Sequence, residues 1–309
     1  MWPTLLIVFY CALIAAASLL GGWLPSLVRL THTLTQVMMS FVGGLMLGVA
    51  LLHLVPHAAA KLPSLDAVAG WVLVGLLCMF LMMRWFHFHQ HEPQQEETPH
   101  VHHEAGPAEP TCDEPHEHLM SHLSHSDQAH QLSWVGLFFG LAVHTLIDGI
   151  ALAASVAVGL GDTPAAGIIG LGTFLAIVLH KPLDAFSITS VMVAAGWQRR
   201  WVASVNLLFA LMCPAGALCF FFGVQGLSVG QNTVIGAALA FSAGVFLCIS
   251  LADILPEVQF HRHDRIKLSV ALLAGVGVAL LIGLVEPSHV HTLPGAQPSN
   301  GAHAHDHVH

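Results

Sequence analysis

Eight separate stretches of this chain run for twenty or so residues with almost no charge, and that pattern limits the fold more than any other feature. A bilayer core of roughly 30 Å takes about 20 apolar residues as one helix. Windows of that kind fall at roughly 4–25, 34–58, 66–86, 133–160, 165–194, 201–224, 232–257 and 267–286. Charged residues make up 9% of the 309, where soluble domains carry about a quarter. A water-soluble core is thereby excluded, and the predicted fold is an all-α polytopic membrane protein with eight transmembrane helices. Met1-Trp2-Pro3 gives no basic n-region, so the first stretch reads as a retained helix rather than a cleaved leader. The six cysteines form no C-x-x-C pair, and five lie inside apolar runs, so no disulfide framework is expected.

The nine basic residues set the expected orientation. Arg29, Arg84, Arg199, Arg200, Arg262, Arg265 and Lys267 all fall on odd-to-even connections, Lys61 alone falls on the other side, and Lys181 lies within span 5. The positive-inside rule then puts both termini outside, in the cell (inner) membrane. Histidine is the other outlier: of 24, eleven lie between His87 and His130 and six follow Pro287. The expected organisation is spans 1–3 over 1–86, a cytoplasmic His-rich disordered loop over 87–131, spans 4–5 over 132–196, spans 6–8 over 197–286, and a His-rich extracytoplasmic tail over 287–309. The formal charge of −9 argues against nucleic acid as a partner.

An internal repeat runs through the apolar spans. Residues 41–57 align without gaps on 241–257, with Phe41 on Phe241, Gly44 on Gly244, Leu47 on Leu247, Leu51 on Leu251 and Pro56 on Pro256. The pair His53/His57 falls on Asp253/Glu257. Spans 2 and 7 cross in opposite directions, so the repeat is inverted, as in many transporters with a midplane site. Chance matching of apolar residues is the alternative.

Spans 4 and 5 carry the polar chemistry. His144-x-x-x-Asp148 and His180-x-x-x-Asp184 each place an imidazole and a carboxylate on one helical face. A carboxylate there costs at least ~2.5–3.5 kcal/mol on insertion scales, so both pairs must face each other or a wet cavity. Two neutral imidazoles and two carboxylates offer four ligands and neutralise a divalent cation. Such N/O ligation suits Zn²⁺, admits Fe²⁺, Mn²⁺ or Cd²⁺, and disfavours soft Cu(I). A buried His–Asp pair that merely ties two helices together is the structural alternative. Metal ligands must be deprotonated, so binding is expected to weaken as pH falls through the imidazole range.

His144-Thr-Leu-Ile-Asp148-Gly149 and His180-Lys-Pro-Leu-Asp184 resemble the paired motifs of the ZIP family of metal-ion transporters. So do the eight spans, the outward termini, the His-rich loop between spans 3 and 4, and the Leu-Pro-Glu near the end of span 7. The resemblance implies zinc or iron uptake toward the cytosol, a 3+2+3 helix arrangement with inverted repeats, and movement of the spans 4–5 unit. The departures are informative. Many members place Asn after the first His and a carboxylate after the second, building a second metal position; here Thr145 and Lys181 stand there. Where the family has a carboxylate before a proline in span 6, this chain has Cys213 before Pro214. One transported metal rather than two is therefore expected. The Lys181 ammonium either stands in for the absent second cation or pairs structurally with Asp184 or Asp148.

Accessory sites are expected at both ends of the path. His53 and His57 could receive metal near the outer end of span 2, and Asp253 and Glu257 could pass it on near the inner end of span 7; ordinary interfacial polar residues are the equal alternative. Loop clusters such as His87, His89 and His91, or His116 and His118, would bind zinc weakly as exit ligands or sensors. No cofactor is required if the metal is cargo; the bilayer, the ion and a homodimer partner are the expected associations. Three rivals stand beside transport into the cell. An intramembrane metalloenzyme would want H-E-x-x-H, and Thr145 and Lys181 are poor bases. A cation-diffusion exporter would have six spans. A metal-sensing receptor without transport is the third. The absence of G-x-x-x-x-G-K-[ST] disfavours ATP-driven pumping.

Overall fold

The computed structural model describes residues 2–26, 32–87, 119–159, 169–227, 229–260 and 265–285, with side chains described within 2–25, 33–85, 138–158, 169–227, 229–252 and 265–284. The described residues form helices joined by short turns, without strands, and eight helices are long and apolar enough to cross a membrane. These are α1 (Trp2–Trp23), α2 (His32–Val49, continuing through Ala50–Leu54 and Val55–Lys61), α3 (Leu65–His87), α4 (Leu119–Gly159), α5 (Leu171–Ala194), α6 (Arg199–Gln225), α7 (Gln231–Phe260) and α8 (Arg265–Val285).

Three local features depart from the sequence expectation. The loop placed at 87–131 ends early, because α4 already begins at Leu119. No Gly or Pro stands between Pro115 and Gly136, so nothing stops the span's helix from propagating backward into polar sequence. Span 5, expected from 165, starts as helix α5 only at Leu171, behind Gly170 with φ of 69°; glycine takes that left-handed conformation without the Cβ penalty. The Ala50–Leu54 stretch of α2 is π-helical, a form that appears mostly as single-turn bulges, often at functional sites.

Packing divides the helices into two groups. α1, α4, α5 and α6 pack on one another, and α2, α3, α7 and α8 form the second group. Exchanging α1 with α6, α2 with α7, α3 with α8 and α4 with α5 maps the principal contacts onto each other: α2–α8 onto α3–α7, and α1–α5 onto α4–α6.

The exchange holds at single residues. The Gly44 Cα faces the Leu272 carbonyl so closely that no Cβ would fit, and Gly244 faces Val72 in the same way. Gly75 meets the Phe241 carbonyl, and Gly275 meets that of Phe41. All four contacts keep the repeat's 200-residue offset (44 to 244, 75 to 275) and extend it into α3 and α8, beyond the stretch recognisable in sequence. Likewise Gly21 abuts Pro182 while Gly216 abuts the Leu146 carbonyl. Here the α4-to-α5 offset is that of His144 to His180. Close backbone approach through small residues is the main route to tight helix packing in a lipid environment.

Candidate metal centre

α4 and α5 bring the two sequence pairs to one point. One ligand atom from each of His144, Asp148, His180 and Asp184 lies within 4.8 Å of all the others. Individual N···O separations are 3.5 Å for His144 Nδ1 to Asp148 Oδ1, 3.8 Å for His144 Nε2 to Asp184 Oδ2, and 3.3 and 3.7 Å from His180 Nε2 to Asp148 Oδ2 and Asp184 Oδ2. A tetrahedron with bonds of about 2.0 Å has edges of about 3.3 Å; the His180 contacts are near that spacing, and a set of one atom from each residue fits within 4.8 Å.

The protons fit as well. His180 Nδ1 lies 2.7 Å from the Ala176 carbonyl, and a carbonyl accepts, so Nδ1 carries the hydrogen. In the neutral ring Nε2 then presents a lone pair to two carboxylate oxygens. Three electron-rich atoms facing one another draw positive charge to them, part of which the Lys181 ammonium supplies to the two oxygens, and a backbone carbonyl behind the ring is the usual outer partner of a ligating histidine. His144 Nδ1 and Asp148 Oδ1 are buried with no hydrogen-bond partner among the described residues, a rare condition that a bound ion relieves.

Lys181 completes the centre from inside the protein. Its Nζ makes a close ion pair with Asp148 Oδ2, lies 3.3 Å from Asp184 Oδ2, and donates to Thr145 Oγ1 at 2.9 Å. Thr145 and Lys181, each next to a ligating histidine, therefore meet as directly as the ligands do. The Phe246 ring, from α7, stands edge-on to both imidazoles at 6.4 Å and comes from the opposite helix group. Sequence gives no hint of it: it is one phenylalanine among sixteen, and its two histidine neighbours lie 66 and 102 residues away.

Sealing of the centre is one-sided. Asp148 and Lys181 are fully buried and both imidazoles are 2% exposed, whereas Asp184, toward the α5 C-terminus, is 16% exposed. On the other side Ala151, Ala154, Ala176 and Ile177 are fully buried, and Ser155 Oγ and Thr173 Oγ1 hydrogen-bond across α4 and α5 at 2.8 Å. Tyr10 stacks on Phe174 at 4.3 Å in the same layer. Ser155 and Thr173 lie seven residues from Asp148 and His180, a spacing that returns to the same helical face; that spacing was the sequence signal available for this closure.

A family model described as ZIP zinc transporter matches residues 4–283. The chain belongs to the ZIP family. Among similar relatives, "Zinc transporter ZIP9" of Micropogonias undulatus is 34% identical over 129 residues, covering 41% of this chain and 40% of that protein. "Zinc transporter ZIP9" of Xenopus tropicalis is 32% identical over 155 residues, covering 48% and 49%. "Zinc transporter 5" of Oryza sativa subsp. japonica is 26% identical over 300 residues, covering 87% and 82%. The chain thus matches about half or less of the ZIP9 relatives' length. All three are named zinc transporters.

The accessory residues have varied placements in this ZIP chain. Cys213 is buried on α6 with its carbonyl against Gly149, outside the four-ligand group. His53 is buried in the π-helical turn, its Nε2 3.0 Å from the Ala279 carbonyl and its ring beside Gly172; His57 is half-buried one turn on. Neither joins the central ligands. Asp253, Glu257 and His87 lie within helices but outside the described side chains, and His89, His91, His116 and His118 lie outside the described residues. Among the glycines of α4 and α5, Gly149 and Gly172 allow close approach and Gly170 precedes α5, but Gly140 meets no described atom within 4 Å.

Proposed function

We propose that this protein transports a divalent transition metal, Zn²⁺ first, across a membrane toward the cytosol, through a single-metal site formed by His144, Asp148, His180 and Asp184. The observation that carries this is the buried convergence of those four ligand atoms within 4.8 Å of one another, with His144 Nδ1 and Asp148 Oδ1 left unpaired even beside Lys181. Fe²⁺, Mn²⁺ and Cd²⁺ suit the same donors less selectively.

The direction rests on charge and exposure together. The end of α5 nearest Asp184 leads to Arg199 and Arg200 at the start of α6, and Arg84 and Arg265 lie at span ends on that same side by the alternation of the helices. Basic flanks mark the cytoplasmic face, so the centre is open inward in this state. Movement of the α4–α5 centre relative to Phe246 and the second helix group would expose it to the other side, completing alternating access.

The test is metal uptake into liposomes holding the purified protein, with wild type beside Asp148→Ala and Asp184→Ala, run for each of the four ions. Zinc uptake should fall at least about tenfold in both variants, since even an outer-shell partner of a metal site is worth that much. Metal binding by the wild type without any movement would favour the sensor reading instead.

A further inference from the structure

Lys181 is a charged group at the centre that the ligand set does not need. It is among the largest fully buried side chains described, and its surroundings hold it as an ammonium: two carboxylates, the Thr145 hydroxyl, and the Phe209 ring with its centroid 5.5 Å from Nζ. The second-cation idea raised by sequence has a consequence that follows from charge counting. With neutral imidazoles, Asp148, Asp184 and Lys181 sum to minus one when the centre is empty. A divalent ion takes the sum to plus one.

The cost of holding net charge in a low-dielectric interior rises with the square of that charge in the Born picture. Empty and loaded centres therefore carry equal penalties. Without the ammonium the sums would be minus two and zero. The loaded centre would move freely, and the empty one would face about four times the penalty of a single charge. Such a carrier exchanges metal for metal, or waits for a coupling cation to fill the empty site before returning.

We propose that Lys181 is a built-in counter-ion that lets the empty centre reorient, so that the protein delivers metal in net fashion without a coupling cation. The inference rests on the transport function proposed above. The lysine is covalently part of α5, so it travels with the centre in both directions and is neither delivered nor replaced. Thr145, one turn before Asp148, holds Nζ beside the Oδ2 atoms of the two carboxylates, leaving Asp148 Oδ1 and His144 Nδ1 without a partner and open to the metal.

The measurement compares two fluxes of radioactive zinc in liposomes with the proton gradient clamped: net uptake into metal-free vesicles, and exchange into vesicles preloaded with unlabelled zinc. For wild type, exchange should exceed net uptake by no more than about threefold. In Lys181→Met the ratio of exchange to net flux should rise at least about tenfold, equivalent to about 1.4 kcal/mol, with zinc binding to the purified variant retained. Lys181→Arg should keep the wild-type ratio. Wild-type exchange outrunning net uptake by tenfold overturns the counter-ion, as does an unchanged ratio in Lys181→Met or loss of both fluxes in a variant that still binds zinc. If Lys181→Met does not fold, the wild-type ratio and the Lys181→Arg ratio decide. A wild type that moves zinc in neither mode overturns the transport reading itself, which the flux ratio distinguishes from failure of the counter-ion alone.

Discussion

The residues at the centre separate into those proposed to meet the metal and those that hold the others ready. His180 is prepared by the Ala176 carbonyl, whereas His144 has no such partner among the described residues and relies on Asp148 beside it. His180→Ala should weaken zinc binding at least about tenfold by calorimetry on purified protein. Thr145→Val, by contrast, removes one neutral acceptor from Lys181 and leaves both carboxylates in place. It should lower stability by about 1 kcal/mol in a denaturation series while the zinc stoichiometry stays at one; a second bound zinc would show that Thr145 and Lys181 do not occupy the neighbouring position. The convergence of the four residues was legible in the sequence because charge within apolar spans has few explanations and a spacing of four fixes the face. Phe246, Ser155 and Thr173 were much less so, since apolar and hydroxyl side chains are common in such helices and gain meaning only from partners distant in sequence.

At the scale of helices, the repeat is written in glycine contacts. Gly44, Gly75, Gly244 and Gly275 each face a partner backbone with no room for a methyl group, whereas Gly70 and Gly277 on the same helices meet nothing described within 4 Å. Gly44→Ala and Gly244→Ala should therefore cost comparable stability, about 1–3 kcal/mol as for overpacking generally, and Gly277→Ala less than about 0.5 kcal/mol. Thermal unfolding of the three variants in one detergent reads this directly. Unequal losses at Gly44 and Gly244 would mean that the two halves are not mechanically equivalent. All eight helices were readable from apolar length, yet their ends were less so. Hydropathy could not reveal the helical extension back to Leu119, because those residues are polar, nor the π-helical turn around His53, because a change of hydrogen-bond register leaves composition untouched.

For the molecule as a whole, closure on one side of the centre is a statement about access. In a background with the native cysteines replaced, Ser187→Cys, on the Asp184 side, should react with a membrane-impermeant thiol reagent supplied to the inner face. Thr173→Cys, behind the Ser155 contact, should stay protected from that face. Equal labelling at both positions would contradict a one-sided barrier. The buried lysine also bears on how the protein is made. α5 is the least apolar of the eight spans, and it carries His180, Lys181, Pro182 and Asp184 within five residues. Each intramembrane charge is costly to insert alone, by ~2.5–3.5 kcal/mol even on the lenient scales. The close partner of Lys181 is Asp148, on the helix synthesised just before. A ribosome emitting α5 thus depends on α4 waiting beside the translocon, and the two must enter lipid as a hairpin. The same ion pair that steadies the empty site in the finished protein would then also ease its birth, and Asp148→Ala should reach the membrane in lower yield than Asp184→Ala, the chains that do insert remaining available to meet a metal ion.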